Sequence, residues 1–560
     1  MIKISLVNDK IQLYKNGELL DVELYIKNIY IQKEVDRILN ILENNTKNIQ
    51  QLYKYTGIEM YNFHRGTFVN KLNYIVYNIL IIDSIINNFK EEDIIVETDE
   101  ILMNDIAIEI FNVDVELKNK RINQSVKLSF NIRLKFFIRN FIGIFKAFIK
   151  LINRKEKILA ITQAVDISNI NINGEKIHYD AQFGKILDKL KKDLLVIKVQ
   201  YLNTKELLNK SNNLGVDFIP FELIIIIKRL VSKKLVKLNK IEDRLDELKY
   251  ADFCVCGKEI NNILQKYLFN DLRIAYFSYI KEVETASLIL RLFNIKTVIA
   301  TNEADRPRCF IAAANYNNIK TYGIQHGVIT KTSNSYLVPT TDCKLVPKIT
   351  FLWGEEFKKV LMSSTNVYNE GNLNVVGQLR TDYLVDKIKF CRTIKNDNKL
   401  KIMFATQPID ELIDESTQIL FKALDKMKDY ELLIKLHPND NKQNFYSKCA
   451  NENNITNFRI VKDKDLYDCI LESDCIITVH STVVIEAMLL KIPSVCILLP
   501  NYYDQGNFVK DGVAIGVETS EELRKILMNR TFVKNEKYIG KNIYKVDGNV
   551  CVRIENIIRN

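Results

Sequence analysis

Residues 474–500 leave this chain the fewest ways to fold. Cys475–Val479 is a short apolar run rich in β-branched side chains, the pattern of a buried parallel strand. His480-Ser481-Thr482 follows at its carboxyl end. Ser481 suits a helix N-cap and opens an apolar helix to about Leu490. Pro493 then precedes a second buried strand, Ser494–Leu499. A strand–helix–strand unit of this kind places hydroxyls and unpaired backbone N–H groups in one crevice, which suits a phosphate. Glu486 is the only charge between Asp474 and Lys491. A lone carboxylate on a helix that packs on a sheet needs a partner, and a ribose diol is one candidate.

Two further stretches carry the same chemistry. Thr301-Asn302-Glu303-Ala304-Asp305-Arg306-Pro307 follows a predicted strand, Lys296–Ala300, and a second strand, Lys320–Gln325, ends in Gln325-His326-Gly327. Both ends should open on one edge of a parallel sheet, where ligands bind. In the C-terminal third, Lys401–Ala405 ends in Thr406-Gln407-Pro408, and Tyr430–Leu436 ends in Lys435-Leu436-His437-Pro438. That puts a cation and an imidazole at a strand end beside His480–Thr482, with Pro438 stopping the strand. Three of the five histidines, His326, His437 and His480, thus sit at predicted strand ends.

The motifs His-Ser-Thr-x-x-x-Glu-Ala with Lys-Ile-Pro-Ser-Val, Lys-x-His-Pro, and Gln-His-Gly resemble those of GT-B glycosyltransferases. So does Gly377-Gln-Leu-Arg380-Thr-Asp382, which resembles a Gly-x-x-Arg-x-Asp segment. The nearest variants are bacterial capsule-synthesis transferases that use Kdo or sialic-acid-like donors. CDP-glycerol glycerophosphotransferases are more distant. The resemblance spans roughly residues 290–530. It implies an α/β fold of two Rossmann-like domains facing a cleft. It also implies a nucleotide or phosphate role for Gln325, Gly327, Gly377, Arg380, Thr406, Gln407, Pro438 and His480, beside Lys435, His437, Ser481 and Thr482, which fit phosphate neutralisation. Glu486 fits the ribose. Glu303, Asp305 or His326 is the candidate base, and His437 joins them as a catalytic residue.

The chain has 560 residues, too many for one core. The expected domains are a strand-then-helix extension at 1–90, a Rossmann-like acceptor-side domain at 91–390, a nucleotide-sugar-binding domain at 391–545, and a C-terminal helix at 546–560. His178-Tyr179-Asp180 is read as the start of a helix. The start of the chain has no signal-peptide pattern, and no uninterrupted apolar stretch reaches ~18 residues. Ten scattered cysteines read as free thiols. These points predict a cytoplasmic protein.

Net charge is +11, and its distribution matters more than its size. No acid lies between Glu116 and Glu156, a stretch that includes Arg133, Lys135, Arg139, Lys146 and Lys150. Phe130, Phe137, Phe141, Phe145 and Phe148 recur there at helical spacing. Residues 123–153 therefore read either as a basic amphipathic insertion for an anionic membrane surface or as a helix packed on its own domain. Nucleic acid is not an expected partner, since no binding motif accompanies the charge. A Gly-rich dinucleotide fingerprint, a Walker loop and an Asp-x-Asp motif are all missing, which argues against dinucleotide, ATPase and metal-dependent GT-A chemistry.

The expected activity is transfer of a sugar, a CMP-linked acidic sugar by resemblance, from its nucleotide to a cell-surface glycan or lipid-linked precursor. Neither metal nor cofactor is expected. The alternatives are a glycerophosphotransferase, a sugar-nucleotide 2-epimerase, and a non-catalytic scaffold of polysaccharide assembly.

Overall fold

A computed structural model describes residues 1–7, 10–22, 25, 31–44, 49–117, 134, 138, 157–162, 167–172, 175–198, 213–219, 221–237, 253–301, 305–331, 333, 335–390, 399–425, 427–499, 504, 506–532, 538 and 540–560. Apart from Leu134 and Ile138, the basic segment 123–153 lies outside them.

The N-terminal region is built on β1 (Ile2–Val7), β2 (Lys10–Lys15) and β3 (Glu18–Leu20), which form an antiparallel meander. A two-residue hairpin, β4 (Lys54–Tyr55) and β5 (Ile58–Glu59), comes next. After it, β6 (Ile94–Thr98) and β7 (Asp114–Leu117) add in parallel to β1, giving the order β3-β2-β1-β6-β7. This corrects the expected boundary at residue 90. The strand–helix–strand at 94–117 alternates like a Rossmann unit, but β6 finds its partner in β1. The sheet is covered by the helices Ile31–Asn44 and Arg65–Asn88. The second is long and apolar enough to cross a membrane by length and composition. Its Leu72, Ile75, Val76, Ile79, Ile82 and Ile85 are buried in the core with Ile2, Ile4 and Val96.

The first Rossmann-like sheet comprises β8 (Ile158–Thr162), β11 (Leu194–Lys198), β12 (Asp217–Ile219), β15 (Thr297–Ala300), β16 (Lys320–Ile324), β17 (Ile349–Leu352) and β18 (Leu373–Val375). Between β8 and β11 lies a hairpin, β9 (Ile167–Ile172) and β10 (Glu175–Asp180), and before β15 a small hairpin, β13 (Cys254–Val255) and β14 (Lys258–Glu259). Every ladder in the seven-stranded sheet is parallel, in the order β12-β11-β8-β15-β16-β17-β18. Counted within the domain this is 3-2-1-4-5-6 with one strand added, the doubly wound order whose switch point lies between β8 and β15. Strand β8 is buried along its whole length, as its Ile-Leu-Ala-Ile run requires of a central parallel strand.

The second sheet repeats the order. It holds β19 (Leu400–Ala405), β20 (Tyr430–Lys435), β21 (Phe458–Val461), β22 (Cys475–Thr478), β23 (Ser494–Ile497) and β24 (Ala514–Val517). These run β21-β20-β19-β22-β23-β24, all parallel, and the switch point lies between β19 and β22. The protein is thus α/β, with two Rossmann-like domains of the GT-B kind and an N-terminal mixed extension.

Two features join the domains. The helix Val550–Arg559 returns to the first domain, packing on the helices Ile186–Leu190 and Thr381–Phe390 and burying Val550, Cys551, Ile554 and Ile558 in the apolar cluster that includes residues of β8, β11 and β17. Asp382 holds it there by accepting the main-chain N–H groups of Val550 at 3.0 Å and Cys551 at 2.8 Å. The β9–β10 hairpin is the other. Ile170 and Tyr179 bury themselves in one apolar cluster with Tyr383 and with Tyr467 and Ile470 of the second domain. The expected helix at His178-Tyr179-Asp180 is therefore a strand end. Asp180 closes it by accepting N–H bonds from Gln182 at 2.9 Å and Phe183 at 3.0 Å.

Candidate functional site

At the second domain's switch point, three strand ends meet. Thr406 and Gln407 follow β19, His437 and Pro438 follow β20, and His480-Ser481-Thr482 follows β22. The Gln407 side-chain oxygen accepts the His480 main-chain N–H at 3.0 Å, a bond across the crevice itself. The His437 N–H is donated to Thr406 Oγ1 at 3.0 Å, and His437 Nδ1 accepts the Asn439 N–H at 3.1 Å. With Nδ1 an acceptor, the neutral ring carries its proton on Nε2. Burial pulls the His437 pKa down; Asp440 opposes this, while Lys435 and Lys462 reinforce it. Burial alone pulls down that of His480. Near neutral pH both rings are hydrogen-bond donors rather than cations.

Asp440 organises this loop, and its carboxyl is almost wholly buried at 2% exposure. It accepts from Thr406 Oγ1 at 2.7 Å, the Tyr446 hydroxyl at 2.9 Å and the Lys442 N–H at 2.9 Å. Thr406 therefore supports the loop from below rather than facing a ligand. The Lys435 ammonium is donated to the Lys462 carbonyl, which draws it toward β21 and away from its expected place on a phosphate. Pro438 is exposed at the turn. The helix after β22 begins one residue later than the sequence implies. Thr482 takes the N-cap position without a side-chain capping bond, and Ser481 Oγ accepts the Val483 N–H at 3.3 Å.

Across the seam, Arg380 Nη1 of the first domain lies 2.8 Å from Glu486 Oε1 of the second. The Glu486 side chain is 2% exposed, and among the described residues its Oε2 has no hydrogen-bond partner. Burial pushes this carboxyl up, while Arg380 pulls it down. The expected ribose ligand is thus half claimed by an arginine that the sequence assigned to the same site. Tyr179 and Tyr467 hydrogen-bond to each other within reach of both charges, and burial raises both phenols. Gln378, two residues before Arg380, is buried, and its amide has no partner among the described residues.

The first domain's edge is tied inward. Gln325 Nε2 is donated to the Gly327 carbonyl at 2.7 Å, and Gln325 Oε1 accepts the Trp353 N–H at 2.8 Å. Trp353 Nε1 returns a bond to the Gln325 carbonyl at 3.0 Å. Gln325 is 1% exposed, so its expected binding role is corrected to stitching β16 to β17. Gly377 has φ +102°, and a Cβ there would lie 3.0 Å from Val550 Cγ2; docking of the C-terminal helix, rather than a ligand, demands glycine. A Cβ on Gly327 would meet nothing within 4 Å.

His326 lies within electrostatic reach of Arg380. The Tyr336 hydroxyl is 2.9 Å from its Nδ1 and accepts its main-chain N–H at 3.2 Å. Burial lowers the His326 pKa; the Thr301 backbone raises it and Arg380 lowers it further. The ring donates to the Thr301 backbone, and with the Tyr336 hydroxyl on Nδ1 that proton sits on Nε2, so both ring nitrogens are engaged. This corrects the expectation of His326 as base, because a base needs a bare nitrogen. Glu303 and the Asp305 side chain lie outside the described residues. Arg306 pairs with Glu282. Among the described residues, no three His, Cys, Asp or Glu side chains gather as a metal set.

Asp440, Gln378, Tyr179 and Tyr336 were not singled out as site residues from the sequence. For Tyr179 a signal exists: Asn173-Gly174 between alternating runs marks a hairpin. Asp440 reads as an ordinary turn residue, and Tyr336 sits in a polar loop without periodicity.

No protein-family model matches this sequence, and no curated protein sequence does. Among solved structures the fold is similar to MnaA of S. aureus in complex with UDP, at 15% identity and a TM-score of 0.45, over 72% of this chain and 96% of that one. It is similar to the UDP-GlcNAc 2-epimerase of Neisseria meningitidis bound to UDP-GlcNAc, at 14% and 0.43, over 72% and 100%. It is also similar to a glycosyltransferase of Rickettsia africae, at 14% and 0.39, over 72% and 98%.

Proposed function

We propose that this protein is a nucleotide-sugar glycosyltransferase that acts on a cell-surface glycan or its lipid-linked precursor. One observation carries the reading. At the second switch point, His437, with its Nε2–H, stands with His480, Ser481 and Thr482 beside Glu486, whose second oxygen lacks a hydrogen bond among the described residues. Neutral donors meet the phosphate of a departing nucleotide, and hydroxyl hydrogens of a ribose meet the carboxylate. The acceptor hydroxyl would lose its proton to Glu303 or Asp305, after β15, with His326 beside them at the end of β16. The motif resemblance directs the donor toward a CMP-linked acidic sugar, and the net charge of +11 suits an anionic donor or acceptor.

The test is a thermal-shift series with CMP, CDP, UDP, GDP and UMP on the wild type, His437→Ala and Glu486→Ala. A nucleotide at 100 times its Kd should stabilise the wild type by about 2.7 kcal/mol. Selective stabilisation lost in both variants supports the reading and identifies the donor base. No shift with any nucleotide overturns it. Incubating the matching nucleotide sugar without acceptor then separates transfer from 2-epimerisation, since an epimer formed alone would replace the transferase reading.

A further inference from the structure

The N-terminal extension has no assigned part in the chemistry, yet it grips one segment at the cleft. Arg308, in the helix Asp305–Tyr316, is 2% exposed. Its Nη1 is donated to the Asn62 carbonyl and its Nη2 to the Ser335 carbonyl, each at 2.6 Å. Asn62 and Gln50 exchange side-chain amide bonds at 2.8 and 3.2 Å, and Gln50 Nε2 is also donated to the Pro339 carbonyl at 3.2 Å. Glu59 accepts the Thr340 hydroxyl. The strap 335–340 is therefore held by the N-terminal extension at Pro339 and Thr340, and at Ser335 through Arg308, which the extension's Asn62 carbonyl also engages. Buried amide pairs and a buried guanidinium are costly to leave half-made, so this grip has one favoured geometry.

Tyr336 is the strap's contribution to the cleft. Its ring stacks on His326 at 5.5 Å and 18°, and its hydroxyl engages both the His326 main-chain N–H and Nδ1. Those contacts fix the imidazole's rotation, while the Thr301 backbone takes its remaining bond.

We propose that Tyr336 is the positioning residue for His326, and that the N-terminal extension, through Gln50, Glu59 and the Asn62–Arg308 bridge, holds Tyr336 in register. The catalytic consequence rests on the reading above that His326 serves sugar transfer; the positioning itself does not. The N-terminal extension is then a brace for the acceptor-side edge.

The first measurement needs no substrate. Full-length protein is labelled with 15N in its five histidine rings, and His326→Gln identifies the His326 signals. The wild type should show the Nε2–H tautomer at His326. Tyr336→Phe removes the hydroxyl on Nδ1 and should shift the His326 Nδ1 signal, leaving the His437 and His480 signals unchanged. Gln50→Ala, which leaves Tyr336 in place, should produce the same change in smaller degree. An unchanged His326 Nδ1 signal in Tyr336→Phe overturns the positioning role. An unchanged one in Gln50→Ala overturns the brace. Once a donor is identified, Tyr336→Phe should lower kcat about tenfold with the donor KM unaltered, the signature of a misplaced group. A fall in kcat/KM through donor KM alone would overturn the catalytic consequence while leaving the NMR result standing.

Discussion

The two Rossmann-like domains share a strand order but treat their carboxyl edges in opposite ways. In the second, main-chain and buried carboxylate bonds fasten the loops from behind. Asp440 holds Thr406 and Tyr446, and the imidazole Nε2–H of His437 is left as a donor. In the first, the polar side chains are themselves the fasteners. Gln325 binds Trp353, His326 binds Tyr336, and Asp382 binds the C-terminal helix. One edge leaves the His437 Nε2–H and a Glu486 oxygen without a partner among the described residues, and the other spends its strand-end side chains on holding a fixed shape. The same topology therefore specifies where a site can be, while the hydrogen-bond partners of each strand-end residue specify what that edge does.

The seam where the edges meet should give the largest effect. Arg380→Met leaves Glu486 buried without its cation and should destabilise the protein by about 3 kcal/mol or more, read from the midpoint of urea unfolding. The double variant Arg380→Met/Glu486→Leu should recover most of that loss, because burying a matched apolar pair removes the desolvation penalty. If single and double variants unfold alike, the ion pair adds nothing to the seam, and the contrast between the two edges loses its meeting point.

Next comes the inward-tied edge. Gln325→Ala removes the acceptor of the buried Trp353 N–H and should cost about 2 kcal/mol of stability. It should leave nucleotide affinity unchanged by isothermal calorimetry. His437→Ala should do the reverse, weakening nucleotide binding about tenfold, the worth of one hydrogen bond to a charged group. Equal losses of affinity in the two variants would erase the distinction between a binding edge and a bracing edge.

These pairs also show how far the sequence could be read. Strand ends and their motif residues are visible because apolar β-branched runs stop at them, as Cys475–Thr478 stops before His480. Partners distant in sequence are not visible. Arg380 and Glu486 were each placed at the site, yet nothing in local pattern says that residues 106 apart will pair. The motif resemblance gives Gln325 a binding role; its side-chain and main-chain oxygens instead accept from Trp353 and its Nε2 is donated to Gly327, contacts set by sheet order. The β6 strand has the right alternation for a Rossmann unit and was misassigned, because register with β1 is a tertiary choice.

The smallest effect concerns protons. His437, His480 and His326 all have pKa values held below the ordinary 6.5, chiefly by burial. A depressed histidine contributes stability that is whole above its unfolded value and is lost as pH falls toward its folded one, because the unfolded chain takes up the proton first. Stability should therefore decline as pH drops below about 6.5. Glu486 acts with the opposite sign: its carboxyl is raised from 4.5, so its contribution is complete below that pH and is lost as pH rises through its folded value. Melting curves across pH 5 to 8 should show a slope in the wild type that flattens in His437→Gln and His480→Gln. Flattening is expected in His326→Gln as well, since burial and Arg380 lower that ring against the Thr301 backbone. If His326→Gln flattened the slope most, the acceptor-side edge would be the more proton-sensitive of the two. The neutral donor rings at His437 and His480 would then not be what distinguishes the second domain.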